Sequence, residues 1–158
     1  MKIAVFPGSF DPITIGHVDL IERGLNIFDQ IIVAIGNNTN KKYLFDIEKR
    51  KRFIEKIFEG RQGIQIKHYD TLTVDFCKSV NARYILRGLR SGIDFEYEKT
   101  IAMLNKNLNP DIETVCLVSR PELSHISSTV VREIIMHNGK INRFVHTKIA
   151  DDLQNPIF

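Results

Sequence analysis

The chain is short of cysteine, of long apolar runs and of net charge, and each shortage removes a class of function. Its 158 residues include two cysteines, Cys77 and Cys116. Neither has a Cys-x-x-Cys partner, which argues against a zinc or thiol redox centre. They read as two small buried hydrophobes, one in a predicted helix and one in a predicted strand, in a reducing compartment. No run of about 18 apolar residues occurs, so no membrane span is expected. The N-terminus enters a strand at once, without a signal-peptide core, and the expected location is the cytoplasm. The 22 basic and 19 acidic residues leave a net charge of +3, too mild to name nucleic acid as a partner. There is no Walker-type G-x-x-x-x-G-K-[ST] loop, no Ser-His-Asp or Cys-His constellation, and no cluster of carboxylates or histidines suited to a dedicated metal site. No linker, repeat or low-complexity segment interrupts the chain. With 43% hydrophobic residues, residues 1–158 are expected to form one domain with a proper core.

What is present is alternation. Short apolar runs rich in Ile and Val predict strands at Ile3–Phe6, Ile31–Ile35, Ile64–His68, Tyr84–Leu86 and Thr114–Val118. Strands that are apolar throughout are covered on both faces of a parallel sheet. Between them, helical spacing predicts helices over about Gly16–Phe28, from Ile47 after Asp46 as N-cap, over Val74–Val80, over Phe95–Leu108 with Tyr97, Ile101, Leu104 and Leu108 aligned, from about Ser128, and near Lys148–Leu153. Repeated β-then-α units imply a doubly wound parallel five-stranded sheet of Rossmann-like type. Ligands of such a sheet bind beyond the carboxyl ends of the strands, where strand order switches.

Four polar clusters leave strand ends. Gly8-Ser9-Phe10-Asp11-Pro12-Ile13-Thr14-Ile15-Gly16-His17 follows the first strand and puts a histidine in the first turn of a helix. Free N–H groups and the helix dipole make that a place for phosphate. Gly36-Asn37-Asn38-Thr39-Asn40-Lys41-Lys42 follows the second strand. On its own it reads as a solvated loop; beside the first motif, a lysine there could reach a phosphate as a point charge. Arg87-Gly88-Leu89-Arg90 follows the fourth strand. Its arginine forks match phosphate oxygens, and its glycine permits close backbone approach; the alternative is pairing with Asp94, Glu96 or Glu98. Ile126-Ser127-Ser128-Thr129-Val130-Val131-Arg132 opens a helix with three hydroxyls, where capping needs one.

Thr14-Ile15-Gly16-His17 resembles the T/H-x-G-H signature of the nucleotidyltransferase superfamily. The longer Gly-Ser-Phe-Asp-Pro-Ile-Thr-x-Gly-His form, together with Arg-Gly-Leu-Arg and Asp94-Phe95-Glu96-Tyr97-Glu98, resembles its bacterial phosphopantetheine adenylyltransferase branch. The resemblance covers nearly the whole chain. It implies transfer of adenylyl from ATP to 4′-phosphopantetheine, giving dephospho-coenzyme A and pyrophosphate. A phosphate nucleophile needs no strong general base, so the work left is positioning and charge stabilisation.

The resemblance implies a catalytic set of His17, Lys41 and Arg90, with His17 donating to the α-phosphate. Ser9 and Lys41 would hold the incoming phosphate, Arg87 would help bind phosphopantetheine, and Thr73 would meet the pantetheine arm through its backbone. ATP would lie on Ser9, Phe10, His17, Gly88, Leu89, Arg90 and Glu98 and along Leu123, Ser124, His125, Ile126, Ser127, Ser128 and Thr129. His68, His137 and His146, and His125 as regards catalysis, read as surface or structural. Mg²⁺ is expected to arrive with ATP, held by phosphates and water. A homohexamer and feedback inhibition by coenzyme A are implied too. Phe6, Leu123 and His146 depart from the pattern, standing where tyrosine, an aromatic residue and proline are common. Nicotinamide mononucleotide adenylyltransferases share T/H-x-G-H and Ser-Ser-Thr, and cytidylyltransferases usually begin H-x-G-H; the Arg-Gly-Leu-Arg and Phe-Glu-Tyr-Glu stretch argues against both. A nucleotide-binding regulator without activity is the rival of another class, and the intact polar set argues against it.

Overall fold

The computed structural model describes residues 1–38 and 40–154; Thr39 of the polar loop and residues 155–158 lie outside the described residues. Five parallel strands, β1 (Ile3–Gly8), β2 (Gln30–Gly36), β3 (Ile64–Tyr69), β4 (Tyr84–Leu89) and β5 (Glu113–Val118), form one sheet in the order β3-β2-β1-β4-β5. Each predicted strand is present, extended by one to three residues. The helices are α1 (Ile15–Gly24), α2 (Ile47–Ile57), α3 (Thr73–Ser79), α4 (Gly92–Leu108), α5 (Ser128–Met136) and α6 (Thr147–Gln154). A 3-10 turn at Pro121–Leu123 was not foreseen.

Local chemistry explains the helix starts. Asp46 caps α2 by accepting from the Lys49 amide at 2.8 Å, as expected. Ser91 caps α4 and Ser127 caps α5 in the same way. Helix α1 ends at Gly24 rather than Phe28. A Cβ at Gly24 would lie 2.6 Å from Ile31 Cδ1, so the chain passes β2 too closely there for a larger residue. Phe28, four residues on, is buried in the core all the same.

Two apolar layers clasp the sheet. One holds Phe6, Phe10, Ile21, Ile31, Ile54, Val131, Ile141 and Ile149 beneath α1, α2, α5 and α6. The other, smaller, gathers Val5, Ile32, Ala34, Val74, Cys77, Ile85 and Ile112 around α3. The expectation of strands covered on both faces holds for β1 and β2 and fails at the edges. Both β3 and β5 alternate between exposed and partly buried residues, as edge strands do. Cys77 is buried as expected, but Cys116 on β5 is exposed, because α4 leaves that strand partly uncovered.

The crossover from β3 to β4 reverses the direction of strand addition between β1 and β4. Those two strands pair only at Ala4–Tyr84 and Val5–Ile85, while β1 stays paired with β2 up to Gly8. Beyond Val5 they part, and the Pro7 carbonyl accepts from Arg87 Nη1 at 2.7 Å instead. The switch point is therefore an opening lined by the ends of β1 and β4.

Candidate active site

Two clefts flank this opening and share Pro7, Gly8, Arg87 and Glu98 as a common wall. The larger, of about 740 Å³, is bounded by the ends of β1, β2 and β3 and by α4, with Ser9, Asn37, Tyr43, Tyr69, Thr73 and Tyr97 in its lining. The smaller, of about 300 Å³, lies over the starts of α1 and α5 and takes in His17, Gly88, Arg90, Leu123 and Ser127–Thr129.

His17 sits at the third position of α1 in a capping box with Thr14. Its main-chain N–H donates to Thr14 Oγ1, and its Nδ1 accepts from the Thr14 main-chain N–H at 3.0 Å. A nitrogen that accepts carries no proton, so the neutral ring bears its hydrogen on Nε2. The ring stacks edge-on against Phe10, with centroids 5.2 Å apart. Burial, then the positive charges of Arg90 and Arg87, lower its pKa from 6.5 to about 4. At neutral pH His17 is thus an uncharged donor aimed from a helix start.

Arg87 and Glu98 form the wall between the clefts. Arg87 Nε and Nη2 meet the Glu98 carboxylate at 2.8 and 2.5 Å. Burial disfavours the guanidinium charge, and the bonds and charge of Glu98 outweigh it, so the Arg87 pKa stands above its ordinary value. With two of its donors on Glu98 and Nη1 on the Pro7 carbonyl, Arg87 keeps one N–H on each terminal nitrogen for a ligand. Arg90 is paired with Asp94, which accepts from its Nε at 3.1 Å and its main-chain N–H at 2.9 Å. Both acids therefore pair with the arginines while the cluster also lines the clefts. The close approach at Gly88 is to protein: a Cβ there would lie 2.4 Å from Leu20 Cδ1.

On the other side, Lys41 Nζ donates to Ser9 Oγ at 3.2 Å; Ser9 lines the larger cleft, whereas Lys41 is in the lining of neither. Thr73 opens α3 and bonds the Tyr69 hydroxyl at 3.0 Å. The three hydroxyls at α5 are divided: Ser127 caps the helix, Ser128 donates to the Pro12 carbonyl at 2.7 Å, and Thr129 accepts from Arg132 Nη2 at 3.1 Å. Their first-turn amides remain as anion donors.

Most expected residues come together, and some do not. Ser9, Thr73 and Arg87 line the larger cleft; His17, Gly88, Arg90, Glu98, Leu123, Ile126 and Ser127–Thr129 line the smaller. Phe10 is 2% exposed, its ring packed on Phe6 and His17 and its φ at +47°, so only its main chain is available to a ligand. Ser9, Leu89, Ser124 and His125 lie outside the smaller cleft's lining, Ser124 Oγ bonding the Pro121 carbonyl. Sequence reasoning gives Asp11 and Arg132 no role beyond their place in the motifs, and passes over Arg50. The carboxylate of Asp11 accepts from the Leu44 and Phe45 amides, and its carbonyl accepts from Arg132. The signal for Arg50 was available: it falls in the row of Ile47, Ile54 and Ile57, a charge on an apolar helix face. Among the described residues no group of three or more histidines, cysteines or acids is placed to hold a metal ion, and no helix is long and apolar enough to cross a membrane.

Comparison with known proteins agrees with this layout. Residues 5–134 match the cytidylyltransferase-like family model. A phosphopantetheine adenylyltransferase of Christiangramia forsetii is 50% identical over 139 residues, 88% of this chain and 91% of the relative. One of Clostridium perfringens is 44% identical over 157 residues, 99% and 96% of the two chains. A crystal structure of a bifunctional NMN adenylyltransferase/ADP ribose pyrophosphatase from Francisella tularensis superposes with a TM-score of 0.72 at 16% identity, over 91% of this chain and 44% of that one, and shows the fold alone. With a paired-cleft site at the sheet's switch point and relatives matched over nearly their full length, the chain belongs to the phosphopantetheine adenylyltransferases of the cytidylyltransferase-like nucleotidyltransferases.

Proposed function

We propose that residues 1–158 act as one nucleotidyltransferase domain that joins ATP and 4′-phosphopantetheine, with ATP in the His17 cleft and the acceptor phosphate between Ser9 and Lys41. The observation that carries this reading is the shared wall. Gly8, Arg87 and Glu98 face both clefts, so two polyanions bound on either side meet at that point. The acceptor phosphate is ionised at neutral pH and attacks the α-phosphorus of ATP; the α–β bridging oxygen leaves with pyrophosphate, and the product is dephospho-coenzyme A. Neutral His17 donates from Nε2 to an α-phosphoryl oxygen as charge builds there. Lys41 brings a point charge to the acceptor, Arg87 a fork, and Thr73 borders the cleft where the pantetheine arm would run. Arg90, Gly88, Leu89 and the start of α5 hold the nucleotide.

The smaller cleft offers guanidinium, imidazole, hydroxyl and amide groups, a donor set for phosphate oxygens. Mg²⁺ fits this set as an ion carried on the phosphates, where it neutralises their charge. We read the protein as cytoplasmic, as a homohexamer, and as open to inhibition by coenzyme A, which combines features of both substrates. The test is pyrophosphate release from ATP and Mg²⁺ with 4′-phosphopantetheine, with product mass checked and nicotinamide mononucleotide and glycerol 3-phosphate run beside it. Dephospho-coenzyme A is expected with phosphopantetheine alone. In His17→Ala, turnover should fall about 10²–10³-fold with ATP affinity much less affected. Loss of ATP binding with normal turnover of bound substrate would remove the transition-state role.

A further inference from the structure

Arg50 on α2 has no part in the chemistry above, yet it is among the largest fully buried side chains of the described residues, 1% exposed. It lines neither cleft. Its guanidinium donates from Nη1 to the Ser9 carbonyl at 2.8 Å and to the Gly36 carbonyl at 3.4 Å, and from Nε to the Phe45 carbonyl at 3.1 Å. Its centre lies 4.0 Å from the centroid of the Tyr43 ring. The Tyr43 hydroxyl in turn accepts from the Asn38 amide at 2.9 Å and donates to the Gly36 carbonyl. One planar group therefore ties together the turn after β1, the end of β2, and the far end of the loop that carries Lys41. Burying a cation is costly, and a leucine would continue the apolar row of Ile47, Ile54 and Ile57. The bonds that offset the cost all go to segments holding the acceptor side of the site.

We propose that Arg50 is a positioning residue for the phosphate acceptor, setting from behind the separation of Ser9 and Lys41 that the substrate phosphate meets. The proposal rests on the functional reading above. Ser9 is held through its own carbonyl and Lys41 through Tyr43 and Phe45, so neither donor needs contact with Arg50 itself. A lysine cannot take its place, because one ammonium does not span three carbonyls in a plane and stack on a ring.

The test is Arg50→Lys in the full-length enzyme, with initial rates varied in each substrate and ATP binding followed by calorimetry. We expect kcat/KM for phosphopantetheine to fall about tenfold or more, with the ATP dissociation constant held within about twofold. In a Lys41→Ala background the same substitution should cost clearly less than in the wild type, because the part of its effect that passes through Lys41 is gone. Equal losses for both substrates, full additivity with Lys41→Ala, or no effect overturns the proposal. If Arg50→Lys does not fold, Tyr43→Leu takes its place in the same cycle: a non-additive, acceptor-selective loss supports the role, and an additive or absent one overturns it. Wild-type turnover of phosphopantetheine is measured first. Its absence would sink the functional reading and this proposal with it, whereas additivity in an active enzyme sinks the role of Arg50 alone.

Discussion

His17 shows how much one side chain's surroundings decide. An imidazole in water titrates near neutrality, but burial and the two arginines bring this one to about 4. The unfolded chain takes up a proton near pH 6.5 that the folded protein refuses until about pH 4. Stability owed to the neutral ring is therefore intact above 6.5 and declines as the pH falls from there toward 4. Denaturant melts across that range should show the decline, and His17→Gln should flatten it. Proton NMR should find the His17 ring neutral down to about pH 5; a midpoint near 6.5 would mean that the free enzyme's donor carries a charge. The histidine was legible in the sequence because it closes a ten-residue motif. Its tautomer was not, because that depends on the Thr14 amide being folded back onto Nδ1.

At the scale of elements, caps do more than end helices, because Thr14, Asp46, Ser91 and Ser127 stand where loops of the site become helix. Asp46 begins α2 directly after the Lys41 loop. Asp46→Ala should cost about 1 kcal/mol in equilibrium unfolding, with kcat/KM for the acceptor lowered and ATP binding kept. An unchanged midpoint would mean that water caps the helix equally well. Helix α4 had the opposite outcome to α2. Both have an apolar row at helical spacing, but in α2 it meets the core, whereas in α4 Tyr97, Leu104 and Leu108 are 63, 53 and 61% exposed and Glu98 is the one buried residue. Periodicity reports that a face needs cover, not what covers it.

For the whole molecule, that uncovered face of α4 bears on assembly. Ile93, Met103, Leu104 and Leu108 of α4 and Val118 of the neighbouring edge strand are large apolar side chains left exposed, and exposed apolar groups gathered on one element are where chains associate. Light scattering of the wild type should report a mass several times 18.2 kDa. The pair Leu104→Glu and Leu108→Glu should dissociate it while the circular dichroism spectrum is retained. A monomeric wild type would leave the hexamer without support. Because α4 also walls the larger cleft through Tyr97 and Ile101, dissociation should loosen acceptor binding more than ATP binding.

The order of strands and helices, the polar turns at the strand ends and the family were all written in the chain, because they depend on local periods, on glycine and proline at turns, and on short motifs whose residues act within one loop. Residues brought together from distant loops were not. Arg50 reaches the carbonyls of Ser9 and Gly36, Arg87 spans to the Pro7 carbonyl where β1 and β4 part, and Arg132 holds the Asp11 carbonyl. Each contact satisfies a part-buried main-chain oxygen that is shut away from water only once the sheet has formed. The motifs therefore named the groups proposed to meet the phosphates; only the packed sheet decided how those groups are held apart.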